Sequence, residues 1–117
     1  MDKMFQVGFH VPGTLAANVT ITWTTPCDLQ LIHVSATGSG ANDGKLTIGK
    51  IGSLAAYLAS TAIGDSDAPV ECDRDDFVDT QYPHIPKGTI MNIGLDFDGS
   101  AGTATPNFTV MLTFTEG

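Results

Sequence analysis

Basic residues are scarce in this sequence. Only five of the 117 residues are Lys or Arg, against thirteen Asp or Glu, and the formal net charge is -8. Affinity for nucleic acids comes mainly from Lys and Arg that neutralise phosphates, so this balance argues against nucleic acid as a partner. Apolar residues make up 42% of the chain, which indicates a folded domain rather than a disordered acidic tail.

Cysteines and long apolar runs are also few. Cys27 and Cys72 are too few for a disulfide framework and do not have the spacing of metal ligands, so we predict two free, buried or half-buried thiols. The apolar runs are far shorter than the ~20 residues that cross a bilayer. The segment 1–5 has no signal-peptide pattern. We therefore expect no membrane partner, and a protein made and kept, or assembled, in a cytoplasm.

Catalytic motifs are missing as well. His10, His33 and His84 lie far apart in the sequence, and no nucleophile elbow, H-E-x-x-H motif or phosphate-binding glycine loop occurs. We predict a protein that is not an enzyme, with no catalytic residues, no metal and no cofactor. One alternative stays open, since any two of the thirteen carboxylates could meet as a glycosidase pair.

Threonine, glycine and proline, by contrast, are abundant. The chain has fifteen Thr, thirteen Gly and six Pro, a composition typical of short strands joined by tight turns. Apolar residues alternate with polar ones over 107–115, 18–24 and 91–97, and more weakly over 5–9 and 46–48. Further short strands are predicted over 29–34, 70–72 and 77–78. We predict one all-β domain spanning 1–117, a two-sheet antiparallel sandwich of the jelly-roll kind with about eight strands. An immunoglobulin-like sandwich is the alternative, but the order of Trp23, Cys27 and Cys72 does not fit it.

Several local features follow from the same patterns. The apolar phase switches between Leu31 and Ile32, which predicts a bulge or a strand covered on both faces. Strands 91–97 and 107–115 are expected to form a hairpin. The segment 53–59 is rich in helix formers and predicts one or two helical turns. Trp23 is in phase with Val19 and Ile21 and is expected in the core.

Acidic residues are concentrated in one segment. Seven of the thirteen lie between Asp65 and Asp79. The segment is interpreted as a solvated acidic loop that keeps the surface soluble or meets a basic partner; calcium binding is the alternative. Arg74 is the only cation there, and it either reaches across an interface to a carboxylate or pairs locally with the neighbouring Asp73, Asp75 and Asp76.

The segment 81–88 is stiffened by two prolines and partly apolar, which suits an intersubunit contact as well as a loop that packs on its own sandwich. The predicted interface residues are Arg74, Asp75, Asp76, Tyr82, Pro83, His84, Ile85, Pro86 and Lys87. Glycan binding is the alternative function, with Tyr57 and Tyr82 as aromatic platforms for a sugar.

Parts of the C-terminal half resemble small structural proteins encoded by tailed bacteriophages. The resemblance rests on segments 62–66, 73–78, 81–85, 95–99 and 112–117, and more loosely on the strand 21–34. It implies a virion accessory protein, a decoration or cement protein that binds the major capsid protein on the outside of the shell, commonly as a homotrimer. A head-fibre or tail component is the second possibility. The family has no catalytic residues to transfer.

Overall fold

The computed structural model describes residues 3–66 and 68–116. These residues form nine strands and one short 3-10 turn. The strands are β1 (Met4–Thr14), β2 (Val19–Thr24), β3 (Leu29–Thr37), β4 (Lys45–Lys50), β5 (Ser53–Ala62), β6 (Val70–Cys72), β7 (His84–Ile85), β8 (Ile90–Asp96) and β9 (Pro106–Glu116), and the 3-10 turn spans Val78–Thr80.

The strands form two antiparallel sheets. The first has the order β1, β9, β3, β6, and β7 pairs with β3; the second has the order β2, β8, β4, β5. With the two-residue β7 set aside, this is the strand order of a jelly roll, in which two Greek keys form a double sheet. The predicted all-β, two-sheet sandwich is therefore confirmed.

The predicted hairpin between β8 and β9 is wrong. β8 pairs with β2 and β4, whereas β9 pairs with β1 and β3 in the other sheet. The loop 97–105 carries the chain across the ~10 Å between packed sheets. Thr105 is buried at the end of this crossing, and its carbonyl accepts a hydrogen bond of 3.0 Å from the Leu15 amide.

The core lies between the sheets and is built from alternate residues of each strand. In β9 the side chains of Phe108, Val110, Leu112 and Phe114 are all fully buried, as the period of two predicts. The Phe114 ring stacks on Phe5, with 5.5 Å between centroids. It also meets the edge of Trp23 from the other sheet at 5.7 Å. Trp23 points inward as predicted but is only half-buried.

The predicted helical turns over 53–59 are wrong, because these residues belong to strand β5. The register between β4 and β5 shifts twice, so that the neighbours Tyr57 and Leu58 are both buried. Together with Leu54, these two residues stand at positions i, i+3 and i+4, which is the spacing of an apolar helical face. The backbone of Ser53 and Leu54 passes directly over Gly49, where no side chain would fit.

Of the other local predictions, the bulge and the two free thiols are confirmed and one strand is wrong. The register shift between Leu31 and His33 confirms the bulge that the phase switch indicates. The strand predicted at 77–78 is wrong, since Phe77 precedes the 3-10 turn and its buried ring anchors the loop. Cys27 is half-buried and Cys72 buried, and both thiols are free, as predicted. In the described part of the chain no helix is long and apolar enough to cross a membrane.

Replacing Phe114 tests the aromatic contact between the sheets. We expect Phe114→Leu to lower the free energy of unfolding by about 2 kcal/mol, because it removes two aromatic contacts and leaves a cavity. Urea denaturation followed by circular dichroism measures the change. The control is Met111→Leu on the same strand, where the side chain is 37% exposed and a change within about 0.5 kcal/mol is expected. Equal losses in the two variants would contradict this role of Phe114.

Candidate interface surfaces

The sandwich has two sides at which edge strands of the two sheets face each other. Because Trp23 of β2 contacts Phe114 of β9, which pairs with β1, the strand orders place β5 and β6 on one side and β1 and β2 on the other. The first side is covered by the loop 73–83, whose Phe77 is only 3% exposed. We call it the acidic side, after the carboxylates of that loop. The second side has no covering segment among the described residues, and we call it the open side.

The acidic loop is shaped by its own carboxylates. The Asp76 carboxylate accepts a hydrogen bond of 3.0 Å from the Asp73 amide. The Asp73 carboxylate accepts one of 3.1 Å from the Asp75 amide. Two of the clustered acids thus fix the turn, a local side-chain to backbone pattern typical of Asp. Asp75 and Asp79 are exposed and remain available to a partner.

Arg74 is exposed and forms no ion pair with any described residue. The ion pair within the described chain joins His33 of β3 to Glu71 of β6, with 2.9 Å between Nε2 and Oε1. The structure therefore does not show the local pairing of Arg74 with Asp73, Asp75 or Asp76. Its role at an interface stays a prediction.

The proline-containing segment 81–88 is fixed on the first residues of β3. Its strand β7 pairs with Leu29 and Gln30, along the same edge of β3 that β6 occupies. The Pro83 carbonyl accepts a hydrogen bond of 3.1 Å from the Leu31 amide. The Lys87 amide donates one of 2.8 Å to the Asp28 carboxylate. The two predicted interface segments therefore follow one edge of one sheet.

Thr25 holds the far end of this segment. Its hydroxyl donates a hydrogen bond of 2.8 Å to the Pro86 carbonyl and accepts one of 3.0 Å from the Thr89 amide. Its own carbonyl accepts a bond of 3.0 Å from the Gly88 amide. Thr25 is 2% exposed, so these bonds are shielded from water.

The predicted surface residues differ in what they present to solvent. Ile85 is fully buried and belongs to the core, which corrects its assignment to an interface. Pro83 is half-buried. The remaining predicted interface residues, Arg74, Asp75, Asp76, Tyr82, His84, Pro86 and Lys87, are exposed.

Tyr57 does not present an aromatic face to a sugar. It is 8% exposed, because the shifted register of β5 directs its ring into the sandwich, and burial raises the pKa of its hydroxyl. Tyr82, at 39% exposed, is left as the one platform of the predicted pair.

A shallow groove of about 200 Å³ lies on the outer face of the second sheet. Among its described lining residues are Thr20, Thr47, Leu54, Asn92 and Asp96, and none of those described is aromatic. The groove therefore offers no stacking platform for a sugar.

Clustered acids do not form a metal site in the described part of the chain, where no three His, Cys, Asp or Glu side chains are grouped to hold an ion. Asp67, part of the candidate calcium loop, lies outside the described residues.

The electrostatic effect of the acidic loop is visible at Cys72. Burial is the largest cause, and together with the nearby carboxylates of Asp76, Asp73 and Glu71 it raises the pKa of this thiol to about 11. Each of them disfavours a second negative charge. The thiol is therefore protonated, and unreactive as a nucleophile, throughout the neutral range.

The open side is a feature that the sequence predictions missed. Alternate residues from Phe5 to Val11 in β1, and from Val19 to Trp23 in β2, point inward and pack on the core, yet each is only half-buried. No described strand pairs with the outer edge of β1 or of β2. One signal was present in the sequence: residues 3–27 contain no Asp or Glu.

Comparison with known proteins adds information about the fold. No protein-family model matches the chain, and no curated protein does. A chain of the cyanophage Pam1 capsid asymmetric unit is similar in structure, with a TM-score of 0.55 and 14% sequence identity. The similarity covers 99% of this chain and 85% of the other. At this identity the two chains are shown to share a fold.

Replacing Thr25 tests how the proline-containing segment is held. We expect Thr25→Val to lower the free energy of unfolding by about 1 kcal/mol, because a buried hydroxyl with two hydrogen bonds is lost without a change of shape. Hydrogen exchange at Gly88 and Thr89 should become faster. The control is Thr24→Val, at an exposed position one residue away. Unchanged exchange at both amides would show that Thr25 does not fix the segment.

The raised pKa of Cys72 predicts a loss of stability at alkaline pH. The folded chain keeps this proton up to a pKa of about 11, whereas the ordinary pKa of a cysteine thiol, which applies to the unfolded chain, is 9.0. The stability is therefore complete below pH 9 and falls between pH 9 and 11. From pH 8 to pH 10 we expect Cys72→Ala to lose about 1 kcal/mol less than the unaltered protein. Urea denaturation at both pH values measures this difference. Cys27→Ala is the control, and identical losses in the two variants would contradict the prediction.

Proposed function

We propose that this chain is a non-enzymatic structural protein of a bacteriophage virion. In this proposal it binds the major capsid protein on the outside of the shell as a homotrimer and stabilises the shell. Its location would be the capsid surface, after assembly in the host cytoplasm. The observation that carries the proposal is a shared jelly-roll fold, over 99% of this chain, with a chain from a phage capsid asymmetric unit.

The shape of the molecule is consistent with a binding role. The regular structure of the described residues is built almost entirely of strands, and the buried apolar residues form one cluster between the sheets. The candidate histidines lie apart in the fold: His10 contacts Thr109, and His33 contacts Glu71 on another edge. Neither of these two contacts joins an imidazole to a Ser or Cys side chain.

The acidic side is the surface we assign to the capsid. Its exposed carboxylates are held on a loop that Phe77 anchors in the core, so little ordering entropy is lost when a partner binds. The negative charge of this loop attracts a basic patch on the shell and speeds association with it. Each copy adds a modest contact, and several copies on one oligomer multiply it.

Reconstitution on shells tests the proposal. Shells of the phage that encodes this chain, prepared without it, are mixed with the purified protein, and bound copies are measured by sedimentation. We expect saturable binding and a higher melting temperature of the shells. No binding, or shells equally resistant to heat with and without the protein, would overturn the proposal.

A charge-matched pair of variants tests the role of the acidic side. Asp75→Asn/Asp79→Asn removes two carboxylates from the loop without touching the Asp73 and Asp76 hydrogen bonds. Asp98→Asn/Glu116→Gln removes two outside it. We expect the first to weaken shell binding several-fold, with a smaller dependence on salt, and the second to bind as the unaltered protein does. Equal binding by both variants would exclude the acidic side as the contact.

A further inference from the structure

We propose that the open side, formed by the edges of β1 and β2, is the surface through which copies of this chain bind one another. The inference names the contact behind the homo-oligomer of the proposed function and rests on that part of it. The inference does not depend on capsid binding. The partner that binds to the open side is a second copy of this chain.

The first argument is the unpaired backbone of β1. The Glu116 amide donates to the Lys3 carbonyl at 2.8 Å, and antiparallel pairs alternate along the register. The amides and carbonyls of Met4, Gln6, Gly8 and His10 therefore point away from β9. Monomeric proteins protect such an edge with charges, prolines or bulges. The proline of β1, Pro12, and its register shift lie at the end of the strand, after Val11, and between Met4 and Val11 there is no proline and no Asp, Glu, Lys or Arg.

The second argument is the apolar surface beside this edge. The inward residues of β1 pair with fully buried residues of β9, as Val7 does with Leu112, yet they are themselves half-buried. The inward residues of β2 share this exposure. On the acidic side Phe77 of the covering loop is buried in the same apolar cluster as Tyr57 and Leu58 of β5. A partner on the open side would supply the cover that this side lacks.

The third argument is charge, which selects the partner. Two copies of a chain with a net charge of -8 repel each other over most of their surfaces. β1 and β2 carry no carboxylate, and their neighbours β9 and β8 carry one each, at the final residues Glu116 and Asp96. The open side is thus where two copies can approach with little repulsion. A basic partner would instead be drawn to the acidic side.

The size of the open side fits a stable contact. β1 has 11 residues, which span about 36 Å at ~3.3 Å per residue. The molecule measures 42 × 27 × 25 Å. A side of this length and of the molecule's width gives a footprint on the order of 900 Å², close to the ~800 Å² that each partner contributes to a standard interface.

Light scattering after size exclusion, over a range of protein concentrations, is the decisive experiment. We expect a mass of two or three chains for the unaltered protein, and of one chain for Val7→Lys, whose ammonium would be buried at the contact. The matched control is Val70→Lys. Val70 is also a half-buried valine on an edge strand, but it lies on the acidic side, so its variant should keep the mass of the unaltered protein.

Hydrogen exchange on the unaltered protein gives a second measurement that does not depend on how the variants fold. The amides of Gln6, Gly8 and His10 should exchange more slowly at high protein concentration, whereas the amides of β6 should not change. An unaltered protein that is a monomer at all concentrations would overturn the inference. A folded Val7→Lys variant of unchanged mass would also overturn it. The same holds if the exchange rates of the Gln6, Gly8 and His10 amides do not change with protein concentration.

The outcomes also separate this inference from the proposed function. An oligomer that dissociates with Val7→Lys but does not bind shells supports the open side as a self-contact and overturns the capsid role. A protein that stays a monomer yet binds and stabilises shells overturns the open side as a self-contact and supports the capsid role. A mass of two chains supports the open side and corrects the trimer.

Discussion

The fold depends on the packing of β9 between its two neighbours and against the opposite sheet. Its four inward side chains are fully buried, and the last of them, Phe114, contacts both Phe5 of its own sheet and Trp23 of the other. Hydrogen bonds to β1 and β3 use both edges of the strand. The position of the remaining strands follows from this one, since β1 becomes an edge and β3 carries both β6 and β7 along its far side.

A consequence of this arrangement is a molecule with two unlike sides. The acidic side is sealed by Phe77 and bears the clustered carboxylates, whose field also acts on the Cys72 thiol. The open side leaves apolar residues half-exposed and carries almost no charge. Surface suited to hydrophobic burial and surface suited to electrostatic attraction therefore lie on different sides of the molecule.

The sequence predicted features that depend on local periodicity and missed those that depend on strand partners. The alternation in β2, β8 and β9 correctly predicts which face of each strand points into the sandwich. The phase switch after Leu31 correctly predicts the bulge in β3. β5 was mistaken for a helix because its irregular register buries two consecutive residues, Tyr57 and Leu58. The same register directs the ring of Tyr57 away from the surface, where it was predicted as a sugar platform. β1 and β9 show the same alternation, so periodicity alone does not distinguish an edge strand from a central one.

The position of Trp23 has a practical consequence. It is the only tryptophan in the chain, it stands half-buried on the open side, and its indole Nε1 is buried without a hydrogen-bond partner among the described residues. Indole emission depends on the polarity around the ring. The protein therefore carries an intrinsic fluorophore on this side, and the ultraviolet emission of the unlabelled chain reports any change of solvation there.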